Sequence, residues 1–280
     1  MINSPPPDVI GVAFAAPQPE RLHPLLVDTL GAEPQPVQEL NVDCARNRFG
    51  VELQTDVLIH PFQLGQERIE LIQCLGAIPT PAQPPGPSNS LWFQHIAIVV
   101  RDLEQAAQAI APWVTPISTS PQILPSGVGA FKFRDCVGHA MELLWFPQGQ
   151  GDPRWHQPTA PLFQGIDHSA ICVSDSDASL QYYLSDHALE LRYASFNQGV
   201  EQDRLDGLQG TQVAIHGVGG RSGMGIEFLR YICPAPMEPT AAKLTASDAL
   251  YAQILLRSSL PSPTGLCLDP DGHRLWIESI

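Results

Sequence analysis

The chain has 280 residues, 44% of them hydrophobic, and carries 15 lysines and arginines against 29 acidic residues for a formal charge of −14. That apolar content builds a sizeable core and excludes a disordered or fibrous chain. The acidic balance, with no basic patch, excludes a nucleic-acid partner, and apolar runs such as Ile96 to Val100 fall far short of the roughly 20 residues that cross a bilayer.

No basic residue precedes the short apolar stretch at the N-terminus, so no secretory signal is read and a cytoplasmic protein is expected. The six cysteines are scattered singly without a C-x-x-C, and are expected to be reduced and mostly buried. There is no GxGxxG, Walker-type loop or G-x-S-x-G, which leaves dinucleotide, nucleotide and serine-hydrolase chemistry without support.

In chain order, Ile10 to Leu30 predicts a strand followed by a helix-like segment interrupted by Pro17 and Pro19, and Arg68 to Cys74 (RIELIQC) predicts a closing strand. Phe93 to Ile110 (FQHIAIVVRDLEQAAQAI) predicts a strand and a helix capped by Asp102, closed by Ala140 to Phe146 (AMELLWF). Ile166 to Leu184 (IDHSAICVSDSDASLQYYL) repeats that pattern with Ser174 or Asp175 as the cap, and Gly225 to Tyr231 (GIEFLRY) closes it. The polar cluster Glu201, Gln202, Asp203 and Arg204 reads as an exposed loop, or else as substrate contact. Ser247 to Ser259 and Asp269 to Ser279 open and close a last, shortened unit whose helix has dwindled to LPSPTG. Connectors rich in Pro, Gly and Gln lie around residues 79–87, 148–161 and 234–239. His139 and His273, each after a glycine in DCVGH and DPDGH, are expected to serve the turns.

The repetition extends to side chains that carry chemistry. Residues alternate across a strand, so His95 shares a face with Ala97 and Val99, and Glu142 with Leu144 and Phe146. A carboxylate in an apolar strand is costly unless its charge is compensated, and imidazole with carboxylate suits a divalent metal. His95, Glu142, His168 and Glu227 recur at matching places, and unrelated solvated residues have no reason to fall in register. The first unit has Gly11 for the histidine and keeps Glu70; the last has Tyr251 and Gln253 on one strand face, with Trp276 where the glutamate stood and Glu278 two residues on.

The stretches SNSLWFQHIAIVV, GHAMELLWFP followed by GDPRWH, GIDHSAICVSDSDASL, and GVEQDRLDGLQG leading to GIEFLRY resemble those of the vicinal-oxygen-chelate superfamily, the glyoxalase, bleomycin-resistance and extradiol dioxygenase group, over nearly the whole chain. The resemblance implies an α+β fold of four βαβββ modules, the last shortened, in two cupped sheets. The expected units are 1–155, with modules 8–76 and 91–147, and 156–280, with modules 164–232 and 246–280. It further implies that one divalent ion (Fe, Mn, Zn, Ni or Co) is held by His95, Glu142, His168 and Glu227, the His-Glu-His-Glu order of glyoxalases.

Two pairings of modules remain open at this level. If the second and third share a cup, all four ligands meet and the other cup keeps Gly11, Glu70, Gln253 and Trp276. If neighbours pair, one cup holds Glu70, His95 and Glu142 and the other His168, Glu227 and Gln253. The expected function is a metal-dependent enzyme, a glyoxalase-type lyase, isomerase or epimerase, acting on a small molecule with adjacent oxygens. Glu142 or Glu227 would be its general base. An Fe(II) extradiol-type dioxygenase and a metal-free binding protein of the bleomycin-resistance type are the alternatives. Tyr251, Gln253 and Trp276 are the expected substrate contacts, in a monomer or homodimer.

Overall fold

The computed structural model describes residues 7–50, 53–76, 86–238, 246–248, 250–258 and 264–279. The first repeat forms β1 (Asp8–Ala15), the short β2 (Glu33–Pro34) and β3 (Gln38–Leu40), helix α1 (Val42–Phe49), and the hairpin of β4 (Val57–Leu64) and β5 (Glu67–Cys74). The second forms β6 (Gln94–Val100), α2 (Leu103–Ile110), the short β7 (Thr115–Pro116) and β8 (Gln122–Ile123), then β9 (Gly129–Arg134) and β10 (Ala140–Trp145). From the third come β11 (Phe163–Cys172), α3 (Ser176–Gln181), β12 (Glu190–Gln198), α4 (Val200–Asp206), β13 (Gln212–Gly219) and β14 (Gly225–Cys233). The last contributes β15 (Ala252–Ser258), β16 (Gly265–Leu268) and β17 (Arg274–Ser279).

Helix starts follow the capping residues. The Asp102 carboxylate accepts from the Gln105 N–H at the head of α2, and Asp175, not Ser174, accepts from Asp177 and Ala178 at the head of α3. After β1, where an α-helix stands in the second repeat, the chain makes a 3-10 turn (Pro19–Leu22) and a π turn (Pro24–Thr29). Its prolines lack the N–H that a regular helix needs. The polar cluster after β12 is no loop but helix α4, in which Gln202 is buried. The vestigial helix read in LPSPTG lies mostly outside the described residues.

Two mixed sheets result, ordered β16-β17-β15-β1-β5-β4-β2 with β3 on β4, and β12-β13-β14-β11-β6-β10-β9-β7 with β8 on β9. The first and last repeats therefore share one sheet, and the second and third share the other. Halves 1–155 and 156–280 each contribute one repeat to each sheet. At each centre the opening strands run antiparallel, β1 against β15 and β6 against β11.

A continuous core joins the faces turned away from the cups, with Val12 and Leu71 from one sheet, Ile98 and Phe228 from the other, and Leu26 and Ile110 from helical segments. The remaining cup faces form smaller clusters. Among the described residues no helix is long and apolar enough to cross a membrane. The cysteines are free, but Cys44, Cys136 and Cys233 are exposed and only Cys172 is fully buried. The expectation of mostly buried thiols is thereby corrected, because those three fall at turns and element ends rather than on the inner strand faces.

The two turn histidines latch one sheet to the other. His139 Nδ1 lies 2.6 Å from Asp135 Oδ2 and its Nε2 lies 2.8 Å from the Ala15 carbonyl at the end of β1. His273 Nε2 likewise reaches the Cys172 carbonyl at the end of β11, at 2.7 Å. Burial raises the pKa of Asp135, but the His139 charge and hydrogen bond, with the Gly138 and Val137 N–H groups, outweigh it and hold the carboxyl below its usual range. A depressed carboxyl contributes stability above its unfolded pKa and loses it as pH falls through the folded value, here below about pH 4. Urea unfolding at pH 5 and pH 2.5 is therefore expected to show a smaller loss of stability in Asp135→Asn than in the wild type. Parallel losses in the two proteins would remove this account of the latch.

Candidate metal centre

Strand register explains why four distant residues meet. On β6 and β11, His95 stands opposite Ala170 and His168 opposite Ala97, so each imidazole faces a methyl group across the strand pair. The flanking strands run parallel to these, and Glu142 on β10 pairs with Ala97 while Glu227 on β14 pairs with Ala170. The arrangement is two-fold symmetric, with small residues beside each polar one leaving space at the middle of the cup.

His95 Nε2 lies 3.3 Å from Glu142 Oε2, and His168 Nε2 lies 3.9 Å from the same oxygen. One atom from each of His95, Glu142 and His168 falls within 4.8 Å of the others, and all three residues are buried. Glu227 stands slightly outside, its Oε2 3.5 Å from His168 Nε2 and its Oε1 accepting from the Tyr193 hydroxyl at 2.7 Å. Atoms bound at about 2.0–2.2 Å to one ion stand roughly 3–4.4 Å apart, and these separations fall in or just beyond that range.

The polar accounting points the same way. Neither ring nitrogen of His95 and not the Nε2 of His168 makes a well-formed hydrogen bond among the described residues; the two Nε2 atoms meet only the carboxylates at 3.3–3.9 Å, and His95 Nδ1 is left without a partner, which costs about 1–3 kcal/mol. Burial would raise the Glu142 pKa, yet His95, Lys132 and His168 around it depress it to about 2. Burial would lower that of His168, yet Glu227, Asp167 and Glu142 push it up to about 9. For His95 burial prevails and the pKa is lowered. Two imidazoles and two carboxylates converging on one point make a donor set that fits a divalent ion in both ligand type and charge.

Asp167 fixes how His168 presents itself. The pairing of β11 with β6 slips between Ile166 and His168, a bulge that brings an extra residue to the same face. Asp167 Oδ2 thereby sits 3.0 Å from His168 Nδ1 and leaves Nε2 for the centre. Trp155 Nε1 in turn donates to Asp167 Oδ1 at 3.2 Å, while Arg154 stacks on the Trp155 ring and pairs with the buried Glu67 of β5 at 2.7 Å. The GDPRWH stretch, in the connector between β10 and β11, thus braces Asp167 against Glu67 of the other sheet.

Beside the centre opens a cavity of about 730 Å³, lined by Glu142, His168 and Glu227 together with apolar side chains that include Leu124, Phe146, Leu205 and Ile215. Sequence reasoning missed Asp167, Trp155, Tyr193 and Lys132. Lys132, a charged residue within the apolar strand GAFKFR, carries the same costly signature that marked Glu142.

The side chains expected to meet substrate, Tyr251, Gln253 and Trp276, are elsewhere. The register places Gly11, Glu70, Gln253 and Trp276 of the other sheet at the places of His95, Glu142, His168 and Glu227. There α1 fills the cup. Arg48 pairs with the buried Glu70, whose other oxygen lies 3.1 Å from Arg68 Nε. Gln253 Nε2 donates to the Arg48 carbonyl and to the Tyr251 hydroxyl, both at 2.9 Å, and neither Gln253 nor Tyr251 is exposed. Arg48 also lies over the Trp276 ring. Arginines neutralise the surviving carboxylate. A side chain at position 11 would also strike the Arg68 carbonyl, so no histidine fits there.

No family model and no curated protein matches the sequence. Solved structures match over almost the whole chain. Glyoxalase I from Zea mays superposes with a TM-score of 0.60 at 13% identity, covering 97% of this chain and 92% of that one. A dioxygenase candidate from Bacillus subtilis subsp. subtilis str. 168 gives 0.58 at 12% identity, covering 99% and 86%. With its paired repeats, two cupped sheets and this likeness, the chain has the fold of the vicinal-oxygen-chelate superfamily.

Proposed function

We propose that the chain is a metal-dependent enzyme that transfers a proton next to a carbonyl in a small molecule with adjacent oxygens, as a lyase, isomerase or epimerase of glyoxalase type. The observation that carries this reading is the buried cluster of His95, Glu142 and His168, whose imidazole Nε2 atoms converge on carboxylate oxygens without well-formed hydrogen bonds, at the side of a largely apolar cavity. These three residues would hold a divalent ion, with Glu227 as a fourth donor that can leave it, and the bound ion would supply Lewis acidity to two neighbouring substrate oxygens.

The carboxylates take different roles. Glu142 is wedged between both imidazoles with a pKa of about 2, which makes it an anchor and a poor base. Glu227 is the outer of the two, its side chain 14% exposed against 7% for Glu142. We assign it the role of general base, taking the substrate proton on Oε2 while the Tyr193 hydroxyl holds Oε1. Asp167 keeps His168 oriented, and the apolar walls exclude water from the carbanion side of the reaction.

The test uses 2-hydroxyacetophenone, a vicinal hydroxy ketone with an apolar ring, in D2O. The chain loaded with Ni, Co, Mn, Fe or Zn is expected to exchange the hydrogens next to the carbonyl, followed by NMR. Glu227→Gln is expected to slow that exchange by about 10²–10⁴-fold. Metal content far below one equivalent after loading would sink the reading.

A second reading has one observation in its favour. Two histidines and one carboxylate form the tightest part of the cluster, the donor set of Fe(II) oxygenases. It predicts oxygen uptake by the Fe(II)-loaded chain with catechols, and absence of uptake removes it.

A further inference from the structure

Lys132 is a charged side chain in the cavity for which the proton-transfer scheme has no use. It lies on β9 directly opposite Glu142 on β10, so both side chains enter the cup from neighbouring strands. It is 3% exposed, lines the cavity, and stands over the Phe93 ring with Nζ 5.9 Å from the centroid. Its backbone is fixed as well, since its carbonyl accepts from the Ile117 and Ser118 N–H groups and its own N–H donates to the Ser118 hydroxyl.

Nζ donates to Asp206 Oδ1 at 2.6 Å, the last residue of α4. Asp206 has no further freedom, because its Oδ2 accepts from Gln202, which accepts in turn from Asn197. A lysine ammonium carries three N–H donors, and Asp206 is its one hydrogen-bond partner among the described residues. Donors therefore remain, in a cavity whose other lining cation is Arg192 of β12. Stability alone is weak grounds for a charged latch on α4, since burying an ion pair often stabilises no better than an apolar contact of the same shape.

We propose that Lys132 is a substrate-contacting residue that donates to a third ligand oxygen beyond the two adjacent ones, so that the cavity takes 2-hydroxy or 2-oxo acids carrying an apolar group. This rests on reading the cavity as the substrate site. The apolar group would lie against Leu124, Phe146 and Leu205, which pack in one cluster and line the cavity. The two adjacent oxygens would face the His95, Glu142 and His168 side. The second carboxylate oxygen would meet the Lys132 ammonium as a charge-assisted hydrogen bond.

Mandelate and 2-hydroxyacetophenone separate the contributions, because each has a phenyl ring and two adjacent oxygens and only mandelate has a third. Affinity for both is measured by calorimetry on the full chain, metal-loaded and metal-free, with metal content and thermal stability alongside. Lys132→Met is expected to weaken mandelate binding on the order of ten- to a hundredfold. Binding of 2-hydroxyacetophenone and metal content should be unchanged. Should Lys132→Met leave Asp206 too poorly compensated to fold, Lys132→Met with Asp206→Leu removes both charges and carries the same expectation.

Equal mandelate affinity in the wild type and the folded variant overturns the proposal. So does a wild-type chain that fails to bind mandelate with or without metal. A chain that takes up no metal, yet loses mandelate when Lys132 is replaced, supports the lysine contact and removes the metal reading.

Discussion

His168→Ala is expected to lower affinity for a divalent transition ion by about a hundredfold or more, taking a chain that retains one equivalent through dialysis to one that retains far less. Structural zinc sites bind with about 10–16 kcal/mol spread over four ligands. One ligand therefore contributes about 3 kcal/mol, roughly a hundredfold. His95→Ala should behave alike, whereas Gln253→Ala, at the matching place in the plugged cup, should leave metal content unchanged. The His168 imidazole, pushed up to about 9, carries a proton at neutral pH in the metal-free protein. An incoming ion must displace that proton. Affinity is thus expected to climb roughly tenfold per pH unit from 7 towards 9 and to level off above. Calorimetric titration across that range checks both statements, and equal affinity in His168→Ala would exclude this residue as a ligand.

The plugged cup gives the second large effect, on stability. Arg48 and Glu70 are both buried, with side chains 8% and 1% exposed. Removing one member of such a pair strands the other charge and costs about 3–5 kcal/mol. Arg48→Met should fall near the lower figure, because Arg68 still stands 3.1 Å from Glu70. Each kcal/mol shifts the midpoint of a chain of this size by about 2–4 °C, so a drop in Tm of roughly 10 °C is expected by calorimetry. Arg48→Met with Glu70→Leu should recover most of it, since both charges then leave together. A single-variant shift of under about 2 °C would show that the cup is held by α1 packing alone.

How much of this was legible in the residues depends on what each one answers to. The strand-to-helix repeats were readable because capping and alternation are local; Asp102 and the faces of His95 and Glu142 follow from neighbours in sequence. The equivalence of Gly11, Glu70, Gln253 and Trp276 with the four ligand positions was readable for the same reason, and strand register reproduces it. Which repeats share a sheet was not, because pairing is a long-range choice between alternatives with the same local patterns. That is why Tyr251 and Gln253 were expected beside substrate. Gln253 is on β15 as read and Tyr251 stands just before it, but α1 lies on top of them, and nothing in the local sequence reports the covering element. Asp167 was hidden by the bulge, which puts two successive residues on one face against the alternation rule.

The latches made by His139 and His273 run between sheets but within each half of the chain, while the cluster of His95, Glu142 and His168 runs between halves. Severing the polypeptide near residue 155 would give two fragments, each clasped internally and each holding half of the proposed coordination sphere. Ion capture would then report reassembly of the fragments, since neither has enough donors to retain an ion by itself.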